Sequence, residues 1–120
     1  MKKPNIEPCL NLAGAHTIEH IVATYLRNNE EWKDKIIYWG PMGCLTGFYL
    51  IMKGQYDCKV VGDLMIKAFE YTANFTDKIP GTDEKNCGNY LLHNLNFARY
   101  EAKEYAEILK TNPCYEYPVS

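Results

Sequence analysis

Two of the chain's three histidines fall within one short run, His16-Thr17-Ile18-Glu19-His20. On a helix, residues four apart differ by about 40° around the axis and one turn along it, so both imidazoles can reach one metal ion. Glu19 lies three residues after His16 on nearly the same flank, where its carboxylate can approach the ion's open side and move protons. The order His-x-x-Glu-His is that of inverted zinc peptidases. The plainer alternative is a solvated helix face with two surface histidines. Two histidines at ligand spacing around a carboxylate, in a chain with so few, favour the metal site.

Two ligands do not make a site. The residues leave His93, Cys87, Cys44 or a carboxylate as candidates for the third. Cys87 follows a polar loop in Asn86-Cys87-Gly88-Asn89, where glycine permits close backbone approach. Cys44 ends Gly40-Pro41-Met42-Gly43-Cys44, at the tip of a turn entering a strand. A thiol there, beside a dication, would be stabilised as the thiolate. Taken alone, each cysteine is equally a small buried hydrophobe, and Cys9, Cys58 and Cys114 carry only that interpretation.

The positioning elements follow from periodicity. A first helix should begin between residues 13 and 15 and run to about 32, burying Ile18, Ile21, Val22 and Tyr25. Residues 35–39 and 45–52 are rich in β-branched and aromatic side chains and predict two strands, with 40–43 as the turn between them. A second helix spans 57–74, with Val60, Val61, Leu64, Met65, Ala68 and Phe69 on one face. Residues 75–86 form a loop and 87–92 a short strand. Asn94 caps a last helix that ends near Lys110, with Ala98, Ala102, Tyr105 and Leu109 inward. Pro113 and Pro118 mark an irregular tail. The elements do not alternate as βαβ units, so the class is α+β, a small antiparallel sheet against about three helices. A two-stranded sheet is marginal alone, so the first twelve residues or a partner chain should add a strand.

With 120 residues, no repeat and no linker, residues 1–120 make a single domain. A formal net charge of −2 gives no broad electrostatic attraction to nucleic acid or to anionic membrane. No apolar run is long enough to span a bilayer, and no secretory leader follows Met1. Five cysteines without a CxxC pair predict reduced thiols or metal ligands, and hence the cytoplasm.

Three blocks carry a resemblance. His16-Thr17-Ile18-Glu19-His20, the run from Pro41-Met42-Gly43-Cys44 to Phe48-Tyr49, and Cys87-Gly88 followed by His93 resemble the signature blocks of the LuxS family, S-ribosylhomocysteine lyase. They stand in the family's order, and the similarity covers nearly the whole chain. It implies His16, His20 and Cys87 as ligands of one divalent metal, with an open fourth position as in catalytic sites. Ferrous iron is the family's ion, with zinc or cobalt able to substitute. Glu19 and Cys44 match the catalytic acid–base pair. The implied reaction cleaves S-ribosylhomocysteine to homocysteine and the autoinducer-2 precursor 4,5-dihydroxy-2,3-pentanedione. A homodimer with sites at its interface is implied as well.

The chain also departs from the family pattern. The family carries a further substrate-contacting segment before the His block, which this sequence lacks. Tyr38, Trp39 and Gly40 replace an acidic residue, an aliphatic one and serine, and Leu45 replaces a polar residue. Two other readings therefore accompany the lyase. One is a metal-dependent hydrolase in which Glu19 activates water and Glu70 or Glu101 completes the ligand set. The other is a non-catalytic LuxS-like metal-binding module.

Overall fold

A computed structural model describes residues 1–114 of the chain. Its elements run α1 (Leu12–Arg27), β1 (Ile36–Pro41), β2 (Phe48–Met52), α2 (Cys58–Ala73) and α3 (Leu95–Thr111), an α+β arrangement as expected. The expected end of the tail, at Pro118, lies outside the described residues.

Asparagine sets both ends of α1. The Asn11 side chain accepts the Gly14 N–H at 2.9 Å, satisfying one of the first-turn donors. At the other end the helix stops five residues short of expectation. Asn29 Oδ1 accepts the N–H groups of both Glu31 and Trp32, so a local turn outcompetes another helical turn. Trp32 is still buried, but from that turn. Asn94 caps α3 as predicted, accepting the Phe97 N–H at 3.0 Å.

The core lies between the three helices. Ile18, Val22 and Leu26 of α1 meet Leu64, Met65, Ala68 and Phe69 of α2, and Ala98, Ala102 and Ala106 of α3. The alanine stripe lets α3 approach closely. So does Gly14, where a Cβ would stand 3.0 Å from the Phe97 Cβ. Val60, expected inward, is 41% exposed, because it sits at the edge of the α2 stripe in the first turn.

β1 and β2 pair antiparallel, with Trp39 opposite Leu50, Gly40 opposite Tyr49 and Pro41 opposite Phe48. Gly40 and Pro41 thus extend the first strand, and the turn starts at Met42 rather than Gly40. Proline is tolerated there because an edge position leaves its missing N–H unneeded. β2 likewise starts at Phe48, not 45, since Met42 N–H bonds to Gly47 O at 2.9 Å and Leu45 N–H to Met42 O at 3.0 Å. The inner face, Ile36, Trp39, Phe48, Leu50 and Met52, packs on the helical core, with Trp39 stacked on Phe48 at 4.6 Å.

Among the described residues the sheet has two strands. Residues 1–10 add none. They form an arm instead, donating Lys2 N–H to Thr46 O and Leu10 N–H to Leu45 O at the hairpin tip. The Lys2 ammonium anchors the arm on Glu101 of α3 at 2.8 Å. Residues 87–92 are a series of turns rather than a strand. The Asp83 carboxylate accepts the Asn86 backbone and side-chain N–H groups, and Cys87 N–H bonds to Asp83 O, so the chain is already coiled on entry.

Candidate metal centre

The helical spacing of His16 and His20 brings their rings together edge to face, with centroids 4.7 Å apart. Each ring is held from behind. His16 Nδ1–H donates to Leu92 O at 2.6 Å, and His20 Nδ1–H donates to Pro80 O at 2.8 Å. A carbonyl can only accept, so both protons sit on Nδ1 and both Nε2 atoms carry bare lone pairs. Those Nε2 atoms nevertheless face each other at 3.1 Å. Two lone pairs at that distance repel unless a cation lies between them. A backbone carbonyl on the rear nitrogen is the usual support for a metal-ligating histidine.

Cys87 Sγ stands 3.5 Å from His16 Nε2. A tetrahedral ion with bonds of about 2.0–2.1 Å to nitrogen and about 2.3 Å to sulfur places its donors about 3.3 Å (N to N) and about 3.6 Å (N to S) apart. The observed 3.1 and 3.5 Å match this without rearrangement. His16, His20 and Cys87 could therefore hold a metal ion, and His93 lies in the same cluster.

His93 is the member whose role differs. It stacks on His16, centroids 4.0 Å apart and 21° from parallel. A histidine's ion lies in the plane of its ring, and two planes so nearly parallel meet far from either ring. His93 and His16 therefore cannot share an ion in this arrangement, and His93 braces His16 instead. The buried hydroxyl of Thr17 organises the contact. It donates to Ala13 O and accepts from Asn94 N–H, so His93 Nδ1–H donates to it at 2.9 Å. The remaining nitrogen, Nε2, is buried without a partner. Burial first, then the facing His16 and His20, push the His93 pKa down to about 4, so the ring is neutral. His93 belongs to the site through this bracing. Its position six residues after Cys87 does not signal that in sequence, because the intervening turns set where it points.

Glu19 is half-buried and, with Cys87, His20 and Arg27, lines a cleft of about 570 Å³ that opens from the ligand cluster. A second cavity of about 220 Å³ runs from His16 and Glu19 to Pro41 and Leu45 on the hairpin tip. Cys44 lies exposed on that tip, and its thiol is not part of the ligand cluster. The Thr46 hydroxyl, 3.0 Å from its sulfur, holds the thiol below its ordinary pKa. Cys9, Cys58 and Cys114, expected to be buried, are exposed. Glu70 and Glu101 are engaged elsewhere, with Lys110 at 2.9 Å and Lys2 at 2.8 Å, so neither joins the histidines.

The family described as S-ribosylhomocysteinase (LuxS) matches residues 1–114. The chain belongs to the LuxS family. It is 55% identical over 109 residues to the S-ribosylhomocysteine lyase of Borreliella burgdorferi (strain ZS7), covering 91% of this chain and 69% of that relative. The corresponding protein of Phocaeicola vulgatus is 53% identical over 105 residues, covering 88% and 65%. That of Clostridium beijerinckii is 46% identical over 112 residues, covering 93% and 70%. All are named S-ribosylhomocysteine lyase. Among the described residues, no helix is long and apolar enough to cross a membrane.

Proposed function

We propose that this chain is an S-ribosylhomocysteine lyase, and that His16, His20 and Cys87 hold one divalent metal ion while Glu19 and Cys44 handle protons. The observation that carries this is the convergence of two bare Nε2 atoms and one thiol at chelating separations, in a chain of the LuxS family. Ferrous iron suits the mixed nitrogen and sulfur set, as do zinc and cobalt. When bound, the ion supplies Lewis acidity that makes protons beside a carbonyl acidic.

The chain's own residues do the rest. The Glu19 carboxylate, at the edge of the cleft, takes a proton from a ribose carbon and returns it to a neighbouring position, moving the carbonyl along the sugar. Cys44 is the second acid–base group. Removal of a further proton next to the relocated carbonyl then drives β-elimination: the C–S bond breaks, its electron pair leaves with sulfur, and homocysteine takes up a proton. The remaining five-carbon diketone is 4,5-dihydroxy-2,3-pentanedione, the precursor of autoinducer-2. That links the chain to quorum sensing and to return of homocysteine to the methionine cycle.

Residues 1–120 act as one domain in this reading, in the cytoplasm and as a homodimer. The outer hairpin face supports the dimer: Ile37, Tyr38, Tyr49 and Ile51 are 48–56% exposed there. The test of the activity is chemical. Purified chain loaded anaerobically with ferrous iron or cobalt is given S-ribosylhomocysteine, and the diketone is trapped as a quinoxaline with an aromatic 1,2-diamine. The quinoxaline mass, absent without metal, is expected; its absence from folded, metal-loaded protein would refute the lyase.

A further inference from the structure

The hairpin tip contains a strained residue with a consequence for its neighbours. Leu45 has φ of 59°, in the left-handed region that a non-glycine side chain rarely adopts. Four backbone hydrogen bonds hold it there. Two are internal, Met42 N–H to Gly47 O and Leu45 N–H to Met42 O. Two come from the N-terminal arm, Lys2 N–H to Thr46 O and Leu10 N–H to Leu45 O. The left-handed residue turns the chain so that its two neighbours share one side. Cys44 Sγ and Thr46 Oγ1 therefore meet at 3.0 Å.

We propose that Thr46 is a positioning residue for Cys44: its hydroxyl, brought onto the sulfur by the Leu45 kink, donates to the thiolate and holds it ready. The proposal rests on the reading of Cys44 as an acid–base group. The hydroxyl is the leading cause of the thiol's lowered pKa, followed by the Thr46 backbone N–H. No charged group is among the causes. The ionisable neighbours of the tip include the Met1 amino group beside Gly47, Lys2 and Glu7 on the arm, Tyr105 and Cys114 across the cavity that Thr46 lines, and Glu19 across the smaller one. The arm's two bonds make it part of the device, because they stabilise the strained turn from outside the hairpin. Sequence offers little sign of this, since a left-handed leucine is not what leucine predicts.

The experiment is alkylation of Cys44 by iodoacetamide from pH 5 to 10, followed by mass spectrometry of its peptide, which separates it from the other cysteines. Thr46→Val, which keeps the shape but removes the donor, is expected to slow alkylation at pH 7 by about threefold or more and move the profile to higher pH. Thr46→Ser is expected to restore the wild-type profile. A Thr46→Val profile superimposed on wild type, or failure of Thr46→Ser to restore it, would overturn the proposal. Turnover of Cys44→Ala, measured alongside, tests the acid–base reading separately: retained turnover removes Cys44 from the reaction whatever the alkylation profile shows.

Discussion

In the proposed centre, ring planes favour three of the four clustered side chains as ligands of one ion. His16 and His20 meet edge to face and can share an in-plane ion, while His93 lies flat on His16. His93→Phe, which keeps a stacked ring, is therefore expected to retain one ion per chain, with affinity within about tenfold of wild type. His20→Ala and Cys87→Ser each remove a direct donor and are expected to lower affinity by more than about 100-fold. Metal stoichiometry after dialysis against a weak chelator separates these outcomes. An empty His93→Phe would make His93 a ligand. At this scale much of the cluster was legible, because i, i+4 histidines on a helix have one geometry. Cys87 alone gave even odds from its residues and was singled out by the resemblance.

Elements set the orientation of these side chains, and they carry the less obvious requirements. Pro80 can offer its carbonyl to His20 because the next residue, Gly81, adopts φ of 71°. A Cβ at position 81 would stand 3.1 Å from His20 Nδ1. Gly81→Ala is thus strained and displaces the imidazole, and a loss of metal affinity of about tenfold to 100-fold is expected by competition titration. Thr17 ties α1 to the start of α3 through the Asn94 N–H. Thr17→Val leaves that donor without its partner, with an expected loss of about 1–3 kcal/mol in denaturant unfolding. Helix α2 followed from apolar spacing, and α3 from apolar spacing and its Asn94 cap. The strand expected at 87–92 did not form, since Asp83 coils the backbone before Cys87. Nor did residues 1–10 form a strand. Lys2 and Leu10 each donate one N–H to the hairpin tip, an anchoring that composition does not encode.

Across the whole molecule, the centre joins parts far apart in sequence. His16 and His20 come from α1, Cys87 from the long loop between α2 and α3, and that loop has little apolar anchoring of its own. An ion bound there should tie the loop to the helical core. At about 100 times its dissociation constant, a ligand specific to the folded state adds about 2.7 kcal/mol, which for a domain of this size raises Tm by roughly 10 °C. Calorimetry with added cobalt, reversed by chelator, checks this; an unchanged Tm would mean that no ion binds specifically to the folded chain. Binding should also release a proton from Cys87 and weaken as pH falls, because thiol and imidazoles bind metal only when deprotonated. The α+β class was readable from element order. The two-stranded sheet with an exposed outer face was harder to anticipate, because an unpaired sheet edge reflects what packs beside it.

Release of homocysteine is the most direct measure of the proposed lyase. Metal-loaded chain is mixed anaerobically with S-ribosylhomocysteine, and free thiol is followed with Glu19→Gln and Cys44→Ala alongside. Metal-dependent release by the wild-type chain is expected, with a loss of more than about 100-fold in both variants. No release from folded, metal-loaded wild type, or release undiminished in both variants, would contradict the proposed lyase.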